Sequence, residues 1–254
     1  MTVRSGAAGG APAHYRLDRL ELMRSAASDS LAVELQGSLN GQPAALSGQT
    51  GPLRDLFAGV RFPLALSGDV AGAKVKLCGG LDNVATLAGL DLTVEASGSD
   101  LATLGTGIGV EIPQTDSFGL TAQLTTGGDQ LAVRGARGSA SYKRTKLALN
   151  GDIGDLKMLR DIQLELKGSG DHLAELSAFV GATLPATGPF KVTGKLTGSA
   201  SALALSEAQG TISQQSNTLS LAGGLRSPRT PACSVWRPNC ASPAVFWIPG
   251  SGRI

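Results

Sequence analysis

The segments LDLTVEASGSDLATL (residues 90–104) and IQLELKGSGDHLAEL (residues 162–176) are one pattern written twice, 72 residues apart. The same gap-free shift lays Leu92, Ser97, Leu101, Ala102 and Leu104 on Leu164, Ser169, Leu173, Ala174 and Leu176. It carries on through Gly109, Pro113, Phe118, Thr121 and Leu124, which meet Gly181, Pro185, Phe190, Thr193 and Leu196. At the far end Leu147, Leu149 and Gly151 meet Leu219, Leu221 and Gly223. A fixed period of this length signals a fold assembled from stacked copies of one supersecondary unit.

Each copy opens with alternation: Leu90, Leu92, Val94, Ala96 in the first, Ile162, Leu164, Leu166, Gly168 in the second. Side chains two apart share one side of a strand, so alternation makes one apolar and one polar face. A polar break rich in helix-capping residues follows, Ser97–Asp100 or Ser169–His172. Leu101, Leu104 and Ile108, like Leu173, Leu176 and Val180, then fall on one stripe of a short helix. Pro113 and Pro185 end it. Alternation resumes at Phe118, Leu120, Ala122, Leu124 and at Phe190, Val192, Gly194, Leu196. Shorter strands are predicted at Leu131/Val133 and Leu203/Leu205, and the units close at Leu147/Leu149 and Leu219/Leu221. The predicted fold is mainly β: a repeat-built antiparallel sheet curved into an open groove, with one short helix per unit.

Composition agrees. Aromatics make up 4% of the chain while glycine supplies 35 residues, which suits thin, turn-rich sheets better than a thick core or a helical bundle. The net charge of +2 misleads, because residues 226–254 hold four Arg and no acid, leaving 18 basic and 20 acidic groups in residues 1–225. No basic patch is interleaved with aromatics, which argues against a nucleic-acid partner. No apolar run has the length of a membrane-spanning helix, and the first residues lack the apolar core of a signal peptide.

The expected organisation follows from these breaks. Residues 1–13 are Gly/Ala-rich and expected to be disordered. Residues 14–88 read as a diverged or partial β repeat, since Val75, Leu77 and Gly79 stand one period before Leu147, Leu149 and Gly151. Residues 89–160 and 161–225 are the two repeat units. Residues 226–254 contain both Trp, two of three Cys and five of twelve Pro without alternation, and read as a disordered segment foreign to the fold. A disulfide between Cys233 and Cys240 is the competing reading.

Catalytic constellations are scarce. Two histidines, His14 and His172, are too few for a His-rich metal site and leave little room for a Ser–His–Asp triad. His172 occupies a helix-start position whose counterpart is Asp100, so a helix-cap or surface role is expected rather than a catalytic one. Gly105-Thr106-Gly107-Ile108-Gly109 lacks the lysine of a phosphate loop and reads as loop-forming glycine. Asp91, Glu95 and Asp100, with Asp161, Glu165 and Asp171, read as solvated-face charges, and Lys143, Arg144 and Lys146 as a solvated turn. Cys78 is expected to be a small half-buried residue. No cofactor and no metal are implied, and an enzyme is disfavoured.

What remains is the apolar face. One narrow helical stripe per unit does not fully cover it, so the sheet either packs on a second sheet or curves into an open groove, and a large uncovered apolar surface marks a binding site. A groove lined by Leu, Val and Ala is a place for acyl chains. The candidate lining residues are Leu92, Val94, Phe118, Leu120, Leu124, Leu147, Leu149, Leu164, Leu166, Phe190, Val192, Leu196, Leu219 and Leu221.

The run from Ala88 to Leu104 resembles the repeated signature of bacterial AsmA-like proteins, the group that includes TamB: an alternating strand, Ser-Gly-x-Asp-Leu into a short helix, then Pro and an aromatic-led strand (Pro113 with Phe118, Pro185 with Phe190), and a closing Leu-x-Leu-x-Gly. The resemblance covers roughly residues 15–225 and rests on pattern and repeat length. It implies a β-groove on the periplasmic face of the bacterial inner membrane that binds phospholipid acyl chains and serves inter-membrane lipid transport and outer-membrane assembly. Without the family's N-terminal anchor helix, the chain is expected to be a fragment. The alternative expectation is a non-catalytic scaffold that docks an envelope-protein partner.

Overall fold

The computed structural model describes residues 2–5, 13–24, 30–52, 54–55, 59–83, 86–108, 112–128, 130–177, 183–199, 201–214 and 217–226. Among them, fourteen strands form one antiparallel sheet in chain order, each bonded only to the strands before and after it. They are β1 (Thr2–Ser5), β2 (Ala13–Arg24), β3 (Leu31–Leu39), β4 (Gln42–Thr50), β5 (Phe62–Val70), β6 (Ala73–Leu81), β7 (Asp91–Gly98), β8 (Ser117–Gly127), β9 (Gln130–Tyr142), β10 (Thr145–Asp155), β11 (Arg160–Gly170), β12 (Phe190–Ser199), β13 (Ala202–Gln214) and β14 (Asn217–Arg226). The first and last strands do not pair, so the sheet is open. A helix, α1 (Leu101–Ile108), follows β7, and a 3₁₀ turn (Leu173–Leu176) follows β11.

Register carries the alternation of each strand into its neighbours. Leu92 pairs with Leu124, Val94 with Ala122 and Ala96 with Leu120 across β7 and β8. Leu149 pairs with Leu166 across β10 and β11, and Leu164 with Leu196 across β11 and β12. All the apolar positions therefore stand on one side of the sheet. The opposite side carries Lys74, Lys76, Thr93, Glu95, Gln123 and Lys167, all exposed.

The 72-residue period is written into the backbone. Left-handed φ angles recur in pairs at that spacing: Ala71 and Lys143, Leu87 and Leu159, Gly89 and Asp161, Gly135 and Glu207. Bulges repeat too. Pairing slips between Thr121 and Gln123 of β8 and again between Thr193 and Lys195 of β12.

Two devices bend the strands toward the apolar side. Gly79 and Gly151 take φ of +152° and +144°, and a Cβ at either would overlap the carbonyl oxygen of the next strand's Asp91 or Gln163. Glycine lets the neighbouring backbone close over the pleat there. The bulges add local bend and twist. No second sheet covers the apolar face among the described residues, yet its leucines and valines are half-buried while the polar face is exposed. A flat single layer would expose both faces alike. The apolar face is the concave one, and the sheet is an open trough about 62 Å long, from thirteen strand spacings of about 4.8 Å.

Helix α1 folds over one rim. Asp100 caps it: Oδ1 accepts from the Ala102 N–H at 3.0 Å and Oδ2 from Thr103 Oγ1 at 2.9 Å. At its other end Asn40, in the β3–β4 turn, donates to the Gly107 and Thr106 carbonyls at 3.0 and 3.3 Å. Leu101 and Leu104 pack on the buried cluster of Ala73, Ala96 and Phe118.

Several expectations change. In the second unit the described part of this segment is the four-residue 3₁₀ turn Leu173–Leu176, entered without a side-chain capping bond from His172, and the far end of the expected stripe, Val180, lies outside the described residues. The His172 ring nitrogen Nδ1 instead lies 3.3 Å from the Thr187 carbonyl. Gly105 and Gly107 belong to α1 and are buried, where a Cβ on Gly107 would stand 3.0 Å from Ala71 Cβ; close packing, not loop formation, places glycine there. The expected short strand at Leu131/Val133 is the start of thirteen-residue β9, whose bulge interrupts the alternation. Within the segment expected to be disordered, Thr2–Ser5 pairs with Ala13–Arg16 as β1, since main-chain bonding to an open edge needs no apolar pattern. Cys78 is exposed, because its place in the alternation of β6 is the polar face. Arg226 closes β14; the expectations for residues 227–254, including Cys233 and Cys240, lie outside the described residues.

Candidate functional site

The concave face is a hydrocarbon surface. From Leu31 to Ile212, the described strand positions on it are uncharged except at one strand end, where Asp155 of β10 stands opposite Arg160 of β11. That carboxylate is turned into its own hairpin, where it accepts from the N–H groups of Lys157 and Met158 at 3.0 and 3.1 Å.

The candidate lining residues stand on this face in cross-strand sets. Val94, Leu120, Leu124, Leu147, Leu149, Leu164, Leu166, Val192 and Leu196 are half-buried, with Leu120 packed against the cluster of Ala73, Ala96 and Phe118 and Leu124 against that of Ala122, Val133 and Ala136. Leu92, Phe118 and Phe190 are buried and form the base and rim packing instead of accessible surface. Phe118 lies under α1, and Phe190 fills the space left by Gly168 and Gly170. The backbones of Leu219 and Leu221 pair with Ile212 and Gly210; their side chains lie outside the described residues.

Sequence reasoning left out residues of the N-terminal half that continue the same face. Val33, Leu35, Leu46, Leu66 and Leu77 are half-buried there, with Leu35 opposite Leu46 and Leu66 opposite Leu77. Their alternation was visible in the sequence. The missing link was register, which joins these strands to the repeat units.

Titratable groups sit on the convex face and the rims. Glu165 is held below the usual carboxylate range by hydrogen bonds from Lys167 and Asn150 and by the charge of Lys167. Lys195 is raised by its hydrogen bond and ion pair with Glu207 at 2.7 Å. Asp91 accepts from Gln123 at 2.6 Å, and Arg144 pairs with Asp171 at 3.0 Å. The Lys143 ammonium stands 5.0 Å from the centre of the Tyr142 ring. Among the described residues, no three His, Cys, Asp or Glu side chains converge on a metal-sized point. No described helix is long and apolar enough to cross a membrane. Among the described residues, the arrangement offers shape and apolar surface, with its one cross-strand acid and base, Asp155 and Arg160, at a strand end.

A scan against protein-family models and searches of curated proteins and solved structures return no match to this chain.

Proposed function

We propose that the trough binds phospholipid acyl chains, in the manner of an AsmA-like periplasmic protein at the bacterial inner membrane, and serves lipid transfer between envelope membranes and outer-membrane assembly. The carrying observation is the concave face of half-buried Leu and Val, over which no second sheet lies among the described residues. The family and the location in this reading rest on the resemblance of the repeat signature to that of AsmA-like proteins.

Magnitudes favour two-chain lipids. Each methylene removed from water gains about 0.8 kcal/mol, so an acyl chain of about twelve methylenes gains about 10 kcal/mol. Association itself costs on the order of 4–15 kcal/mol. One chain is marginal and two are decisive, while the charged headgroup stays outside with water. For a lipid leaving a bilayer the apolar environment is nearly unchanged, so the trough acts as a conduit rather than a trap.

The test is mass spectrometry of lipids co-purifying with the folded chain, with uptake of a fluorescent phospholipid. The variant pair Leu149→Gln and Leu196→Gln removes two half-exposed lining residues and leaves the buried base untouched. Uptake should fall while circular dichroism is preserved. No bound phospholipid and no uptake by the wild-type chain would refute the reading, and would leave a scaffold that docks an envelope protein.

A further inference from the structure

The two rims of the trough differ. Among the described residues, the exposed large apolar side chains are Leu20, Leu22, Met23, Val60, Leu87, Met158 and Leu159. Leu20 and Leu22 belong to the trough face of β2. The other five stand at strand ends or turns on one rim, that of the β2–β3, β4–β5, β6–β7 and β10–β11 connections. None is on the rim that α1 covers. Their exposure runs from 39% to 56%.

Two of the five are held in strained backbone. Leu87 and Leu159 occupy the same turn position in successive units with φ of 56° and 46°. A bulky residue in the left-handed region is an outlier that costs on the order of 1–3 kcal/mol, and Gly or Asn would relieve it. Neither leucine repays that strain by burial.

We propose that this rim is a bilayer-docking edge that sets its apolar turn tips into the headgroup boundary of a phospholipid membrane. The tips lie along a line, the β4–β5 and β6–β7 turns about 10 Å apart and the β6–β7 and β10–β11 turns about 19 Å apart, from the strand spacing. A protein interface has a contiguous apolar core. A membrane surface is uniform and accepts separate apolar side chains, each beside a polar group at the boundary.

The neighbouring charges fit. Arginine follows the apolar tip in Met23-Arg24, Val60-Arg61 and Leu159-Arg160, and a guanidinium matches a lipid phosphate in shape and charge. The acids nearby are partly engaged: Asp55 with Arg54 at 3.6 Å, Asp91 with Arg61 at 3.5 Å, and Asp155 within its hairpin. Asp82 and Asp161 stay exposed, so apolar insertion leads and the arginines assist. Just inside the same turns, the strands present Phe62, Leu92 and Ile162 to the trough.

Docking and acyl binding are separable. The experiment is co-flotation of the full chain with vesicles of mixed phosphatidylcholine and phosphatidylglycerol. The combined variant Val60→Ser, Leu87→Asn, Met158→Ser and Leu159→Asn should lower vesicle partitioning by roughly tenfold or more. The Asn substitutions suit the left-handed turns, so folding is preserved. Arg61→Gln with Arg160→Gln should weaken partitioning and its salt dependence. Lys143→Asn, on the α1 rim, and the trough pair Leu149→Gln/Leu196→Gln should float as wild type. Failure of the wild-type chain to float, or undiminished flotation of the combined variant, overturns the proposal. So does a change in the variant's oligomeric state with flotation retained, which would assign the rim to a second copy of the chain.

Discussion

Replacing Gly151 by Ala should be among the most damaging one-methyl changes in the sheet. Gly151 takes φ of +144°, and the added methyl would overlap the Gln163 carbonyl oxygen, with the carbonyl carbon 2.9 Å and Leu164 Cα 3.0 Å away. These are backbone atoms fixed by the pairing of Gly151 with Leu164 and Asp152 with Gln163, so no side chain can rotate aside. Strain at this φ costs about 1–3 kcal/mol. Forcing the two strands apart adds about 1–3 kcal/mol, as overpacking does elsewhere. The expected loss is therefore about 2–6 kcal/mol. The repeat supplies its own control, because Gly223 occupies the same position 72 residues on and a Cβ there meets nothing within 4 Å. Gly223→Ala should be neutral, or stabilise by about 0.4–1 kcal/mol through the unfolded chain. Urea unfolding followed by far-ultraviolet circular dichroism distinguishes them; with m near 1–3 kcal/mol/M, the Gly151→Ala midpoint should fall by roughly 1–3 M. Unfolding free energies for the two variants that agree within about 0.5 kcal/mol would refute the account of how the strands bend.

Other outcomes follow from the rims and the convex face. Burial tends to raise the Asp100 pKa, but hydrogen bonds from Thr103 Oγ1 and from the Ala102, Thr115 and Thr103 N–H groups outweigh it and hold the carboxyl below its ordinary value of 3.8. Its stabilisation is present above that value and is lost as pH falls through the lowered folded one. Asp100→Ala should thus cost about 1 kcal/mol at pH 7, and the difference between variant and wild type should shrink as pH falls below the ordinary value and through the lowered folded one. Thr145 is fully buried and donates to Glu175 Oε2 at 2.6 Å, so Thr145→Val, which orphans that acceptor, should cost about 1–3 kcal/mol by chemical denaturation. Breaking the exposed Ser117–Ser141 contact with Ser117→Ala should cost less than about 0.5 kcal/mol. In a Cys233→Ser/Cys240→Ser background, Cys78 should react with maleimide as fast in buffer as in urea; protection in buffer would place it on the wrong face.

Much of this fold is legible in the sequence because strands write their faces with period two. The shift that aligns Leu92 with Leu164 also aligns Gly79 with Gly151, the glycines at which the strands bend. Even a bulge leaves a mark: alternation in β2 changes phase between Leu17 and Leu20, and the structure places an irregularity between Leu17 and Arg19. In β9 the same kind of slip hides, because Arg134-Gly135-Ala136 reads as the end of a strand when it is the middle of one. What period two cannot encode is how far a face is covered. Phe118 and Leu120 look alike along the chain, yet α1 lies over the first, and that depends on Asn40, 66 residues before Thr106. The exposed tips at Leu87 and Leu159 were equally hidden, since a leucine in a polar turn is silent until its φ angle is known.

A ladder in which every rung touches only the next two can be lengthened without redesign. Inserting one more 72-residue copy would add four rungs, about 19 Å, and disturb nothing beyond the seam. Span is then a matter of copy number, set independently of the bore.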